Sequence, residues 1–337
     1  MAVQPKQKTI RYHAVVPPQS QTLSTTEEIP RQRSSFPPRF VFELGSRIGD
    51  GFIVIGHLSA GSISELYQVW SPSYICALTC KILLPKFPPH SKEARGLKRE
   101  ARLLRRLAHP NIVHIFGQGT HEGREFLVQE YLHGPSLFEL IESSPHRQVH
   151  TPDAIKAIIH ICAALDHLHR LGYIHQDIKP ANIILRGGIP VLVDFDVVYR
   201  LKPGHKPRER TGTDPYMAPE QCAKEELSPS TDLYGVGAVL YEMLTGRWPF
   251  EDQLVNNPQH SRLADRYPQI LGSRPPPPRH FNAQIAPGLE AVVMKCLMRH
   301  PHQRFQSARE LAKVLGRFLE GKDQLWTEAL DLKQTMA

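Results

Sequence analysis

Short segments of strand-like hydrophobicity fill the chain between residues 50 and 131. Polar and apolar residues alternate in some of them, and others are brief apolar runs bounded by turn residues, both of which are typical of β-strands. The predicted strands are Phe52–His57, Glu65–Trp70, Ile75–Leu83, Ile112–Phe116 and Glu125–Tyr131. Turns are predicted at Ser59–Ser64 and Thr120–Gly123, and leucines at helical spacing predict a helix over Ser91–Leu107. The order β-β-β-α-β-β predicts a small antiparallel sheet with one helix.

After Gly134 the pattern becomes helical. Pro152–Leu171 has a long apolar stripe, and Gly172 follows it where a C-cap glycine is expected. Further helices are predicted at Glu220–Lys224, Pro229–Thr245, Pro287–Met298 and Ser307–Leu319. No apolar run reaches the roughly 18 residues that a membrane-spanning helix needs, so we expect none. The 337 residues therefore predict a β-rich part followed by a larger helical part.

The charge is uneven along the chain. Lys and Arg number 41 against 33 Asp and Glu, a net charge of +8. Residues 1–40 hold six basic and two acidic residues among many Pro, Ser and Thr, without a helical or strand period. We interpret residues 1–49 as a largely disordered basic extension. It serves either as a solubilising leader or as an electrostatic docking or autophosphorylation segment.

Cysteine use indicates the compartment. The five cysteines are an odd number, and no apolar leader precedes them. Reduced thiols and a cytoplasmic location are therefore expected. Cys76 and Cys80 lie four residues apart without a second Cys or His pair at zinc-site spacing, so no zinc site is expected.

Candidate chemistry is concentrated between residues 173 and 220. Tyr173–Leu185 reads YIHQDIKPANIIL, and VDFD follows at Val193–Asp196. GTDPYMAPE follows at Gly212–Glu220. Taken in this order, with Lys81 and Glu100 upstream, these motifs resemble the catalytic loop, metal-binding motif and activation-segment end of eukaryotic-like (Hanks-type) serine/threonine protein kinases of bacterial type. The resemblance covers about residues 50–319.

The resemblance implies an α+β fold with two lobes: a small antiparallel β-sheet N-lobe with one main helix, and a larger, mostly helical C-lobe. The implied bounds are 50–131 for the N-lobe, 132–319 for the C-lobe and 320–337 for a C-terminal tail. The implied activity is transfer of the γ-phosphoryl group of ATP to Ser/Thr hydroxyls of proteins, including the kinase itself. ATP and Mg²⁺, or Mn²⁺, are the implied cofactors, and no nucleic-acid partner is expected.

Elementary chemistry explains why these residue types suit phosphoryl transfer, which depends mainly on positioning and charge neutralisation. Lys81 supplies a fixed cation for the ATP phosphates, and Glu100 holds that ammonium by ion pairing. Asp177 can accept or orient the proton of a substrate hydroxyl, and Lys179 can reach the transferred phosphate. Carboxylate and amide oxygens are ligands that Mg²⁺ prefers, which assigns Asn182 and Asp194 to the metal.

Other roles follow only from the resemblance. It places Gln129 at the gatekeeper position and Glu130 and Leu132 in the adenine-binding hinge. The ATP-binding positions are Leu58, Ser59, Gly61, Ser64, Leu66, Thr79, Lys81, Gln129, Glu130, Leu132, Ser136 and Ile184. The activation segment, here residues 197–220, includes Thr211, Thr213 and Glu220. The residues with supporting roles are His175, Phe195, Asp232 and Arg304, the last of which is expected to pair with Glu220.

Five positions depart from the family pattern, and one of them is Thr79, which replaces the usual alanine over the adenine and makes that surface slightly polar. Ser59 and Ser64 replace glycines of the nucleotide-binding turn, so we expect weaker or slower nucleotide handling without its loss. Asp196 replaces a glycine and either stiffens its turn or adds negative charge near the metal. Gln176 replaces the arginine that pairs with an activation-loop phosphate in many kinases. We therefore hypothesise that loop phosphorylation is not obligatory, and that the basic residues of 197–213 attract acidic substrate segments or form a solvated loop.

Two alternatives to an active kinase remain at this point. A pseudokinase would use the same fold as a nucleotide-binding scaffold or regulatory module, and the altered turn and Asp196 favour it. A nucleic-acid binder would use the net charge of +8, but the chain has no recognition motif of that class.

Overall fold

The computed structural model describes residues 40–255, 267–271, 274–319 and 329–330. Most of the predicted N-terminal extension and C-terminal tail therefore lies outside the described residues. Within the described part of the chain, no helix is both long and apolar enough to cross a membrane.

A six-stranded antiparallel sheet forms the N-lobe, as predicted for the fold class. Its strands are β1 (Arg47–Ile48), β2 (Phe52–Ala60), β3 (Ser64–Ser71), β4 (Cys76–Leu83), β5 (Ile115–His121) and β6 (Arg124–Glu130). They lie in the order β1-β2-β3-β4-β6-β5. β4 is therefore a central strand, and its register places Lys81 opposite Leu66 on one side and Leu127 on the other.

The prediction of a strand at Ile112–Phe116 was wrong in its bounds. β5 begins at Ile115 and continues through the polar residues Gly117–His121. Residues 111–113 pair instead with the C-lobe, because the Val113 N–H donates to the Leu192 carbonyl (3.0 Å) and the Leu192 N–H donates to the Asn111 carbonyl (2.8 Å). The apolar residues 112–113 are hydrophobic because they are buried between the two lobes. Most of β5 is polar, so its sequence gives little indication of a strand.

Helix α1 (Lys92–Leu104) packs its apolar face on this sheet. Ser91 caps it by accepting a hydrogen bond from the Ala94 N–H (3.0 Å). Its buried face holds Leu97, Leu103 and Leu104, and Glu100 lies among them with 2% of its surface exposed. A carboxylate at such a position is costly unless it is paired, so this helix carries a charge that needs a partner.

The C-lobe is mostly helical. Its helices are α2 (Leu137–Ser143), α3 (Thr151–Arg170), α4 (Pro219–Ala223), α5 (Pro229–Thr245), α6 (Glu251–Val255), α7 (Pro287–Cys296) and α8 (Ala308–Leu315). Gly172 adopts φ +79° just after α3, the left-handed C-cap conformation that its sequence position predicted. The final predicted helix is shorter than expected, ending at Leu315 with one 3₁₀ turn after it.

Helix α5 forms the centre of the C-lobe and supports the catalytic loop. A Cβ at Gly237 would lie 2.4 Å from the Cβ of Cys296, and one at Gly235 would lie 3.1 Å from the Cβ of Ile178. The two glycines thus allow α7 on one side and the catalytic loop on the other to approach the helix backbone closely.

Two small antiparallel pairs frame the catalytic loop. Strands β7 (Tyr173–Ile174) and β10 (Tyr199–Arg200) pair with each other, as do β8 (Ile183–Arg186) and β9 (Ile189–Leu192). The loop between β7 and β8 carries residues 175–182, and the metal-binding motif follows directly after β9. The topology therefore brings both motifs to one place.

Residues 40–48 of the assigned N-terminal extension lie on the N-lobe sheet. Phe40 stacks on His57 (ring centroids 4.4 Å apart), and Phe42 contacts the edge of Tyr67 (5.7 Å). The Val41 N–H donates to Glu65 Oε1 (3.1 Å), and Ile48 is fully buried. The aromatic side chains of this segment complete the outer core of the sheet.

Candidate active site

A buried lysine on the central strand joins both lobes. Lys81 Nζ lies 3.1 Å from Glu100 Oε2 and 2.6 Å from Asp194 Oδ1. Glu100 Oε1 also accepts a hydrogen bond from the Phe195 N–H (3.3 Å). The Glu100 carboxylate on α1 therefore positions both the Lys81 ammonium and the backbone of the metal-binding motif. The ion pair between this lysine and this glutamate is the one that the resemblance to kinases implies for phosphoryl transfer.

Charge pairing outweighs burial at Lys81 and Asp194, whereas burial prevails at Glu100 and raises its pKa to about 7 despite the Lys81 ammonium. Burial alone lowers the pKa of Lys81, but Glu100 and Asp194 raise it well above its ordinary value. Burial alone raises the pKa of Asp194, but the Lys81 ammonium brings it below its ordinary value. The lysine is therefore a permanent cation and Asp194 a permanent anion at neutral pH.

The catalytic loop holds Asp177 in a network of charged and polar side chains. Asp177 Oδ2 accepts hydrogen bonds from Lys179 Nζ (2.7 Å) and Asn182 Nδ2 (3.1 Å). Asp177 Oδ1 accepts one from the Thr213 hydroxyl (2.7 Å), which itself accepts from Lys179 (3.0 Å). The carboxylate is thus fixed in orientation, and the activation segment is connected to the catalytic loop through Thr213.

Asp232 at the start of α5 fixes the backbone of this loop. Its two oxygens accept hydrogen bonds from the His175 and Gln176 N–H groups (both 2.9 Å), and His169 lies 2.7 Å from Oδ2. Burial raises the pKa of Asp232, but the hydrogen bond with His169 and the charge of that ring bring it below its ordinary value. His175 is fully buried against the Phe195 ring, 4.9 Å away.

The groups expected to hold a divalent metal fit that role. The Val193 N–H donates to the Asn182 carbonyl (2.9 Å), which brings the two motif loops together. Asn182 Nδ2 bonds Asp177, so the amide oxygen is the atom left as a ligand. Burial and the Asp194 carboxylate raise the pKa of Asp196, a sign of excess negative charge. Hard oxygen donors in a negative field suit Mg²⁺ or Mn²⁺.

The predicted nucleotide positions lie along the inner strands and the segment after β6. Thr79 and Gln129 are paired neighbours on β4 and β6, and both are buried. The Glu130 N–H donates to the His114 carbonyl (2.8 Å), whereas Leu132 is a buried residue just past the strand. Ile184 of β8 bridges to Ser136, the N-cap of α2. Leu58, by contrast, lies at a bulge of β2 and is 42% exposed.

The nucleotide-binding turn is shorter than its sequence predicted. Ser59 pairs with Leu66 inside β2, and Ser64 pairs with Leu83 inside β3, so residues 61–63 alone connect the strands. No residue of 59–64 adopts a positive φ, and a Cβ at Gly61 would make only an ordinary contact with the Ser64 carbonyl (3.4 Å). The backbone here does not require glycine, which removes the conformational objection to serine.

Neutral amides connect Gln176 with the activation segment. Gln176 Nε2 donates to the Val197 carbonyl (2.5 Å) at the beginning of the segment. Gln221 Nε2 donates to the carbonyls of Gln176 (2.8 Å) and Thr211 (2.9 Å). These bonds hold the segment against the catalytic loop without a phosphate group.

The predicted pair between Glu220 and Arg304 is a buried bidentate salt bridge. The guanidinium nitrogens lie 2.7 and 2.8 Å from the two carboxylate oxygens, and both residues are 2% exposed. Arg304 also donates to the carbonyls of Met298 (2.7 Å), Arg299 (2.8 Å) and Ser230 (3.0 Å). The pair connects the end of the activation segment to the C-terminal helices, away from Asp177.

Sequence reasoning missed two supporting residues and two helices, α2 and α6. His169 and Gln221 act through side-chain contacts with residues far away in the chain, and no local signal marks them. Helix α2 did have a signal: Ser136 and Glu139 form a capping box, with Ser136 Oγ accepting from the Glu139 N–H (3.2 Å).

Comparison with known proteins places this geometry in a family. Residues 52–314 match the family model described as "Protein kinase domain". The chain belongs to this family. The chain is 31% identical over 285 residues to a probable serine/threonine-protein kinase of Streptomyces coelicolor, and the alignment covers 82% of this chain and 41% of that relative. It is 34% identical over 238 residues to the serine/threonine-protein kinase PknB of Mycolicibacterium smegmatis, covering 67% and 36% respectively.

The chain therefore spans about two fifths of the length of the curated relatives it matches. Among solved structures, the PknI kinase domain of Mycobacterium tuberculosis superposes with a TM-score of 0.63 at 23% identity. That match covers 82% of this chain and 99% of the PknI chain. The likeness confirms the bilobal kinase fold.

Proposed function

We propose that this chain is an ATP- and Mg²⁺-dependent protein kinase that transfers the γ-phosphoryl group to Ser/Thr hydroxyls of proteins, including its own. The observation that supports this best is the convergence of Lys81, Glu100 and Asp194 beside the Asp177 network. Relatives named serine/threonine-protein kinases support the choice of hydroxyl. So does the contact of Lys179 with Thr213, which fits serine/threonine kinases better than tyrosine kinases.

Each residue has a distinct part in the proposed reaction. Lys81 neutralises the α- and β-phosphates and Glu100 positions it. Asp177 orients the substrate hydroxyl and accepts its proton, and Lys179 stabilises the charge on the transferred group. Asn182 and Asp194 would hold Mg²⁺, or Mn²⁺, which supplies neutralisation of the phosphate oxygens.

The pseudokinase alternative depended on the serines of the nucleotide-binding turn and on Asp196. Ser59 and Ser64 lie inside strands, and no residue of the turn needs the conformation that glycine permits. Asp196 likewise has no positive φ. With Lys81, Glu100, Asp177, Asn182 and Asp194 all retained, an active enzyme is the better-supported proposal.

We also propose that the kinase acts on protein substrates in the reducing cytoplasm. All five cysteines are free thiols in the structure, and four of them are buried. Burial raises the pKa of Cys162 well above its ordinary value and does the same for Cys296. Their thiols are therefore protonated and unreactive, as structural cysteines are.

Transfer of radiolabelled phosphate tests the proposed activity. The purified chain is incubated with [γ-³²P]ATP and Mg²⁺, with itself and with a generic basic protein as acceptors. Label on serine or threonine after acid hydrolysis is the expected result. Nucleotide binding without any transfer would favour the pseudokinase instead.

Two threonines of the activation segment are expected to differ sharply. Thr211→Ala should leave the transfer rate unchanged within error, because amides of Gln176 and Gln221 already hold the segment. Thr213→Ala should lower the rate by about 10- to 100-fold, since a hydrogen bond to a charged group is worth roughly 1.5–3 kcal/mol. Initial rates of the purified variants measure both effects. A loss of activity in Thr211→Ala would count directly against the hypothesis that loop phosphorylation is not obligatory.

A further inference from the structure

A basic cleft lies between α1 and the activation segment. Its volume is about 1210 Å³, above the roughly 300–1,000 Å³ that small-molecule pockets occupy. Ten Lys and Arg residues line it against four Asp and Glu. The adenine-side positions Thr79, Gln129 and Leu132 do not line it, whereas the predicted phosphate-side positions Ser64 and Lys81 do, so the cleft adjoins the predicted nucleotide region on the side away from the adenine.

Most of these cations have no carboxylate partner among the residues that the structure describes. Lys81 and Lys92 are the ones that form ion pairs with described residues, and the Lys92–Glu209 pair (2.6 Å) joins the two walls of the cleft. No ion pair with a described residue is found for the other eight. They are Arg99, Arg102 and Arg106 on the side of α1, and Arg200, Lys202, Lys206, Arg208 and Arg210 on the activation segment. All eight are exposed.

We propose that this cleft binds an acidic segment of a partner protein between its two walls. Arginine presents a planar fork that pairs bidentately with carboxylate or phosphate groups, and six of the eight unpaired cations are arginines. The cleft exceeds the size of a small ligand, so several acidic residues of an extended segment can enter it. The chain itself nowhere has more than two consecutive acidic residues, which favours a segment from another protein.

The shape of the cleft favours a peptide over nucleic acid. Duplex DNA is a convex cylinder, whereas these cations face each other across a concave site. Single strands bind through bases stacked on exposed aromatic rings. The Phe and Tyr residues that line the cleft are Tyr173, Phe195 and Tyr199, and none of them is exposed, which leaves the His205 imidazole as the one exposed ring in its lining.

A ligand in this cleft would act on the catalytic centre, an effect that depends on the proposed kinase function. Lys81 and Glu100 lie at its inner end. A segment that contacts both walls favours the arrangement in which α1 keeps Glu100 on Lys81, and thereby raises the fraction of molecules competent for transfer. The binding itself does not depend on that function.

Fluorescence anisotropy with the full chain tests the proposal. The probe is a short dye-labelled peptide that alternates Glu and Ser, and its matched control has Gln in place of Glu. Arg102→Gln/Arg106→Gln on one wall and Lys206→Gln/Arg208→Gln on the other should each weaken binding of the Glu peptide by about tenfold or more. Arg95→Gln/Arg105→Gln removes the same charge from α1 and its C-cap, at exposed positions outside the cleft, and should have no effect.

Three outcomes would overturn the proposal. One is equal affinity for the Glu and Gln peptides, and another is equal weakening by the cleft and control variants. The third is tighter binding of a single-stranded or duplex oligonucleotide that the same cleft variants abolish, which would assign the site to nucleic acid. The Asp177→Asn variant should bind the Glu peptide as the wild type does, so a failure of the docking site and a failure of the kinase activity are separable.

Discussion

Replacing Asp177 with asparagine is expected to lower the rate of phosphoryl transfer by about 10²- to 10⁴-fold, the usual contribution of a general base. The amide cannot take the proton of a substrate hydroxyl. It also presents an NH₂ group to surroundings that are themselves donors, namely Lys179, Asn182 and Thr213. Affinity for ATP should remain, because Asp177 is not among the predicted nucleotide positions.

Asp166→Asn is the matched control for this experiment. It makes the same isosteric change on α3, outside the catalytic loop, where the half-buried Asp166 pairs with the exposed side chains of Arg309 (2.9 Å) and Arg170 (3.3 Å). Its transfer rate and melting temperature should equal those of the wild type. Wild-type transfer by Asp177→Asn would exclude the proposed role of this carboxylate.

Replacing Arg304 with methionine is expected to destabilise the protein by about 3–5 kcal/mol, the usual cost of breaking a buried salt bridge. Glu220 would keep a buried charge without a partner, and the carbonyls of Met298, Arg299 and Ser230 would lose a donor. A loss of that size corresponds to a fall in melting temperature on the order of 10 °C for a domain of this size. Thermal unfolding followed by circular dichroism measures it.

Arg309→Met provides the matched comparison. It removes an arginine from an ion pair in the same part of the chain, but the Arg309 side chain is 58% exposed. Because water and salt screen exposed pairs, no measurable change in melting temperature is expected. Equal melting temperatures for the Arg304 and Arg309 variants would mean that the buried pair contributes nothing to stability. Adding Glu220→Gln to Arg304→Met should recover part of the loss, since the uncompensated charge disappears.

Local patterns predicted those features that depend on neighbouring residues. The spacing of the three motifs identified the resemblance, and it was the resemblance that predicted one site for Asp177 and Asp194 together with the upstream Lys81 and Glu100. Gly172 was identified as a helix cap because only one turn of backbone is involved. The ion pair of Glu220 with Arg304 followed from the resemblance alone, since 84 residues separate the two partners.

Local sequence patterns could not predict contacts between segments that are far apart in the chain. β5 was misplaced because residues 111–113 pair with β9 of the other lobe, a partner that no hydrophobic period indicates. Gln221 supports Gln176 across 45 residues, and His169 supports Asp232 across 63. Ser64 looked like a turn residue by composition, yet the pairing with Leu83 draws it into a strand.

The hydrogen bonds around Asp177 have a stereochemical consequence. A carboxylate can accept about four hydrogen bonds, and Lys179, Asn182 and Thr213 already supply three. Two of these reach Oδ2, so the remaining lone pair belongs to Oδ1, beside the Thr213 hydroxyl. An incoming alcohol therefore finds a single direction of approach. The hydrogen bonds around Asp177 therefore leave the carboxylate able to bind one substrate hydroxyl, and only in one orientation.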